Sequence, residues 1–192
     1  MTDLTVWSIG HSKHVIEEFH ALLSLAGIEA LVDVRSSPFS QMAPQFNRPQ
    51  LEQSLKAKKL QYIYMGDTLG GRPNSDEMYD DKNHVFYDLV AQTNVFKEGV
   101  EQLRADIAQY RVAIMCSEGS PTKCHRTLLV ARVLQLQGIK VINVLPDRIL
   151  EEQEDLNQLN PQQPLFGIDE VKSWKSAVSV RQESQHDNSL SY

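Results

Sequence analysis

The strongest constraint in this chain is an alternation. Short apolar runs at residues 5–9 (TVWSI), 30–34 (ALVDV), 60–65 (LQYIYM), 112–115 (VAIM) and 140–145 (KVINVL) are each bounded by polar or turn-forming residues, the pattern of buried strands. Stretches with helical periodicity lie between them. Ile16, Phe19, Leu22, Leu23 and Ala26 recur at helical spacing before Gly27. Pro49 opens a stretch with Leu51 and Leu55 on one face, and residues 85–110 carry two amphipathic patterns broken near Thr93 and Asn94. After the fourth run, Ser120 and Pro121 read as an N-cap and a first helical residue, followed by an apolar helix to Gln137 that Gly138 closes. Strands alternating with helices imply right-handed crossovers. The expected fold is therefore a single three-layer α/β domain over residues 1–150, with a mostly parallel sheet of about five strands and helices on both faces.

Apolar residues form 41% of the 192, enough to build a core without a disulfide or metal staple. Residues 151–175 are expected to form an acidic, partly packed extension, and residues 176–192 a disordered tail. A formal net charge of −6 argues against a broadly basic nucleic-acid-binding surface while leaving room for a local basic pocket. No apolar run reaches the length of a membrane span, and the first residues lack a signal-peptide pattern. A cytoplasmic protein away from membranes is expected, with Cys116 and Cys124 as two free thiols.

The order of elements predicts a site. His11 follows the first strand, Asp33 and Arg35 end the second, Arg72 follows the third, and Cys116 ends the fourth. In a parallel sheet these ends share one edge, where ligands bind in open α/β folds. Cys116 reads either as a small buried hydrophobe or as a thiolate nucleophile activated by nearby amides, His11 or His125, and Arg126. Cys124, in the expected first helical turn, has the helix dipole in its favour, and its structural alternative is packing beneath the helix. Zinc is weighed as well: Cys116, Cys124, His11 and His125 are ligands in type, but seven residues separate the cysteines and no paired CxxC is present. No cofactor and no metal ligand set is assigned. A redox pair formed by the two cysteines is a further option.

Arg35, Arg72 and Arg126 would form an anion pocket if they converge, with amides after Ser12 and Ser120 as added donors. Otherwise each is an arginine paired with an acid such as Asp33 or Glu118. Asp33 reads as the orienter of Arg35 rather than as a general base. Phe46 and Asn47 would place a ring and an amide over a base or sugar, or else Phe46 anchors its loop.

Several of these pieces occur together in a known order. Ser8-Ile9-Gly10-His11-Ser12, Val32-Asp33-Val34-Arg35 with Pro38, Gln45-Phe46-Asn47, Leu69-Gly70-Gly71-Arg72, and Cys116-Ser117-Glu118 with Cys124-His125-Arg126 resemble the bacterial and archaeal family called domain of unknown function 488. The resemblance spans about residues 5–146 and implies a compact α/β cytoplasmic protein. It implies no reaction. A fainter likeness is mechanistic: Val32-Asp33-Val34-Arg35 resembles the strand end of rhodanese domains, and a cysteine ending a later strand resembles their sulfur-carrying loop. Nine residues separate Cys116 from Arg126, so the short anion cradle of those domains and of cysteine phosphatases is missing.

The leading expectation is a thiol-dependent transferase or hydrolase acting on a small anionic, nucleotide-like or sulfur-bearing substrate. Cys116 or Cys124 would be the nucleophile, His11 or His125 the proton-transfer partner, and Arg35, Arg72 and Arg126 the anion clamp. The alternatives are a non-catalytic module that binds nucleotide or nucleic acid and a zinc-stabilised interaction domain.

Overall fold

The computed structural model describes residues 4–154 and 174–177. Five strands form as the apolar runs require: β1 (Thr5–Gly10), β2 (Ala30–Asp33), β3 (Gln61–Tyr64), β4 (Val112–Cys116) and β5 (Lys140–Val144). All pair in parallel, and a sixth strand, β6 (Leu150–Glu152), adds antiparallel to β5. The spatial order is β3-β2-β4-β1-β5-β6. β6 escaped the reading of the sequence because both its faces are exposed, so Leu150-Glu151-Glu152 shows no apolar alternation. An ion pair between Lys140 and Glu152 at 2.6 Å spans this edge.

Alternation along the strands divides the core into two layers. Trp7, Ile9, Leu31, Ala113 and Met115 face α1 (Ile16–Leu25) and α2 (Arg48–Ala57), meeting Phe19, Leu22, Leu23, Leu51 and Leu55. Val6, Val32, Ile114 and Cys116 face the other way. They pack beneath the short α3 (Gly66–Leu69), α4 (Tyr87–Gln92) and α5 (Asn94–Gln109), which contributes Phe96, Val100 and Leu103. Thr93 separates α4 from α5 and accepts the Phe96 N–H, a side-chain cap at the expected break. Helices on both faces make the domain three-layered.

The last helix departs from the expected one. Residues Pro121–Lys123 form a single 3₁₀ turn, Cys124 is extended, and a π-helical segment (Arg126–Ala131) runs into α6 (Arg132–Leu136). The Ser120 hydroxyl pairs with the Thr122 hydroxyl at 3.0 Å instead of capping backbone amides. The carbonyl of Cys124 takes the first helical bonds, from the amides of Thr127 and Leu128. Cys124 therefore sits at the helix boundary rather than inside the first turn.

Beyond β6 the chain is described again at residues 174–177. Trp174 lies edge-on to Tyr87 with ring centres 6.2 Å apart, and the Arg132 guanidinium covers it at 4.5 Å. Ser176, placed by the sequence in the tail, is buried, and its amide and hydroxyl bond the Val85 backbone. The rest of the expected extension and tail, residues 155–173 and 178–192, lies outside the described residues.

Candidate functional site

Strand register brings the expected ends together. Asp33 and Ile9 both pair with Met115, and Gly10 pairs with Cys116. Backbone bonds continue past the strands: the His11 amide donates to the Cys116 carbonyl, the Ser12 amide to Ser117, and the Val34 amide to Met115. The loops after β1, β2 and β4 are thus knitted into one platform. Gly10 is required there, since a Cβ would run into the Glu118 carbonyl.

One half of the platform is built on Arg35. Its guanidinium clamps the Asp33 carboxylate through Nε at 2.8 Å and Nη2 at 2.6 Å, and Nη2 also donates to the Phe46 carbonyl at 2.9 Å. Tyr62 donates its hydroxyl to the second Asp33 oxygen at 2.8 Å. The hydroxyl stays protonated, because burial and the adjacent carboxylate both push its pKa up. Nη1 reaches Nε2 of His11 at 3.1 Å, while Nδ1 of His11 lies 2.9 Å from the Ser12 carbonyl. A carbonyl only accepts, so Nδ1 carries the proton and Nε2 receives the Arg35 bond. His11 is held neutral, its pKa pushed down to about 4 mainly by desolvation, with Arg35 adding to the effect.

The other half is built on Arg126, which is 1% exposed. Its Nε donates to the Ser8 hydroxyl at 3.0 Å, Nη1 to the Cys116 sulfur at 2.7 Å and to the Glu118 carbonyl, and Nη2 to the Gly119 carbonyl. Among the described residues no carboxylate receives a hydrogen bond from Arg126. Burial pushes the guanidinium down to about 10, partly offset by the charge of Glu118. A disulfide joins Cys116 and Cys124, so the two are not the free thiols expected from the sequence, and the Glu118 carboxylate is within 4.8 Å of both sulfurs. Nδ1 of His125 is 3.9 Å from the Cys124 sulfur, and Nε2 is 2.8 Å from the Val34 carbonyl. That carbonyl fixes the proton on Nε2 and leaves Nδ1 as a lone pair facing Cys124. Desolvation pushes His125 down to about 4 as well.

A cleft of about 360 Å³ opens over this platform. Cys116 lies in its floor, Arg72, Lys123 and Phe39 are exposed around it, and Cys124 stays behind the wall. Of the expected anion clamp, Arg72 stands at the mouth, Arg35 is committed mainly to inner partners, and Arg126 addresses the floor. The idea of Phe46 stacking on a base is corrected: the ring is fully buried, stacked on His11 at 4.3 Å and edge-on to Phe19. It is the loop anchor. Asn47 is buried too, its side-chain oxygen accepting the Ser40 amide at 2.7 Å. Ser12 is part of the platform with a left-handed φ of 47°, and its carbonyl orients His11.

Four participants were missed in the sequence: Ser8, Tyr62, Phe39 and Lys123. Ser8 had a signal, since a hydroxyl between Trp7 and Ile9 in a buried strand needs a partner. Tyr62 had the same kind of signal in β3. Phe39 and Lys123 lie in loops, where periodicity indicates no direction.

No helix among the described residues is long and apolar enough to cross a membrane. No curated protein and no solved structure matches the chain. A family model described as "Domain of unknown function DUF488" matches residues 15–133, which include the platform residues beyond β1 and its following loop, Ser8 to Ser12 lying outside the match. Matched over more than half of its length, the chain belongs to the DUF488 family.

Proposed function

We propose that this protein is a cysteine-dependent enzyme in which Cys116, as a thiolate, attacks a small anionic substrate bound in the cleft. One observation carries the reading: the buried Arg126 guanidinium donates to the Cys116 sulfur at 2.7 Å, and once the Cys116–Cys124 disulfide is reduced that sulfur is, among the described residues, its one ionisable hydrogen-bond partner. A buried cation is costly, Glu118 offsets that cost only in part, and a thiolate at Cys116 in the reduced protein adds a counter-charge in direct contact. The guanidinium in turn favours the anionic, nucleophilic form of the sulfur. Arg72 and Lys123 at the mouth draw in negative charge. Asp33, Tyr62 and Arg35 hold the platform, and His11 keeps Arg35 oriented.

The zinc reading rests on the cluster of Cys116, Glu118 and Cys124. It offers three ligands, and the Arg126 N–H at 2.7 Å both occupies a sulfur lone pair and repels a dication. The thiolate reading is therefore the stronger of the two.

The test is alkylation of the reduced protein across pH, followed peptide by peptide by mass spectrometry, with and without a chelator. Cys116 is expected to react at about pH 6, where an ordinary thiol is almost wholly protonated. Reaction only after chelation would transfer the site to the metal reading. An inert Cys116 under all conditions would end the enzyme reading and leave a binding module.

A further inference from the structure

Cys116 and Cys124 stand in different surroundings, and the difference has chemical content. Cys116 is in the floor of the cleft and receives a guanidinium N–H. Cys124 is fully buried, away from the cleft, disulfide-bonded to Cys116 and with the Nδ1 lone pair of His125 3.9 Å from its sulfur. A hydrolase or acyl transferase with a single nucleophile has no use for a second thiol behind the first, supplied with its own proton acceptor. A dithiol reductase needs both: an outer thiolate that meets the substrate and an inner thiol that releases it.

We propose that the protein reduces small anionic disulfides, with Cys116 as the attacking thiolate and Cys124 as the resolving thiol. The inference rests on the thiolate reading of Cys116 and gives that site its substrate class. In the first step the Cys116 sulfur attacks one sulfur of R–S–S–R′. The S–S bond breaks, R′–S⁻ leaves, and Cys116 carries the mixed disulfide Cys116–S–S–R. In the second step Nδ1 of His125 takes the Cys124 proton, and the Cys124 sulfur attacks the Cys116 sulfur. R–S⁻ leaves with the proton that His125 held, and a Cys116–Cys124 disulfide remains. The substrate has gained two electrons and the protein dithiol has lost them. An external thiol restores the dithiol by the same exchange in reverse.

The cleft distinguishes this substrate from a peroxide, the other oxidant a dithiol consumes. Its volume of about 360 Å³ falls in the range of small-molecule sites, far more than a peroxide group fills. Arg72 and Lys123 at the mouth suit carboxylates on the substituents.

The experiment incubates the pre-reduced protein with oxidised glutathione, a disulfide bearing carboxylates, and in parallel with hydroxyethyl disulfide and with hydrogen peroxide. Intact-mass spectrometry and released thiol are the readouts. Wild-type protein is expected to release about two thiols per chain and to end as an internal disulfide with no adduct. Cys124→Ser is expected to release about one and to retain the glutathione adduct on Cys116, located by peptide mapping. Cys116→Ser is expected to form no adduct. A persistent adduct on wild-type protein would overturn the role of Cys124 and leave the nucleophile reading intact. Absence of any adduct on Cys124→Ser whose Cys116 still alkylates at about pH 6 would overturn the disulfide substrate alone. Loss of that alkylation in wild-type protein would overturn both. Faster oxidation by peroxide than by glutathione disulfide, or equal rates with the uncharged disulfide, would overturn the substrate class. Cys124→Ala serves as the second variant should the serine perturb packing.

Discussion

Two buried arginines sit on either side of the same sheet edge and are treated in opposite ways. Arg35 has a full carboxylate partner, Asp33, bound in a two-pronged clamp and steadied further by Tyr62. Arg126 has a hydroxyl, two carbonyls and a sulfur. The first arrangement is closed: its charges cancel and its geometry braces a loop. The second has Glu118 as a partial offset and gains a charge in direct contact when the reduced sulfur ionises. The contrast underlies the proposed role of Cys116, because a neutralised pair holds structure while a buried cation without a bound carboxylate stabilises an anion beside it.

That contrast can be broken most severely at Asp33. Asp33→Asn removes the charge opposite a buried guanidinium and is expected to cost about 3–5 kcal/mol in urea unfolding, with Cys116 alkylation at about pH 6 retained in the fraction that folds. Loss of alkylation without loss of stability would reverse the assigned roles. Next in size is a pH effect through His11. Its folded pKa of about 4 lies below the ordinary value of about 6.5, so between these the unfolded chain binds a proton that the folded chain refuses. The stability His11 contributes is thus complete above about pH 6.5 and is lost as pH falls through 4, amounting to roughly 3 kcal/mol. Comparing urea midpoints of wild type and His11→Gln at pH 7 and near pH 4 isolates it, and identical pH slopes would refute it.

On the other half, Arg126→Gln is expected to slow Cys116 alkylation at about pH 6 roughly hundredfold, by returning the sulfur to an ordinary thiol. An unchanged rate would mean that the guanidinium does not hold a thiolate. The smallest effect is at Tyr62. Tyr62→Phe deletes one of the bonds to Asp33 and should lower stability by about 1–2 kcal/mol with thiol reactivity untouched. A larger fall in reactivity than in stability would show that the two halves are coupled.

The sequence itself carried the architecture. Apolar runs of strand length, helical spacing such as Phe19, Leu22 and Leu23, and the break at Thr93 are local signals, and local hydrogen bonding and burial enforce them. They also implied that His11, Asp33, Arg35, Arg72 and Cys116 would meet, because a parallel sheet aligns its strand ends. Contacts decided the rest. Phe46 turns inward onto His11 while Phe39, seven residues earlier in the same connection, is 66% exposed at the cleft; both are aromatic loop residues, and only the surfaces they meet differ. The helix expected at Ser120 begins after Cys124, since the Ser120 hydroxyl found Thr122 and the Cys124 carbonyl took the first helical bonds. Arg35 and Arg126 look alike along the chain. Asp33 lies two residues from Arg35, within local reach. The partners of Arg126, from Ser8 to Gly119, lie up to 118 residues away, and only the closed tertiary fold brings them within hydrogen-bonding distance.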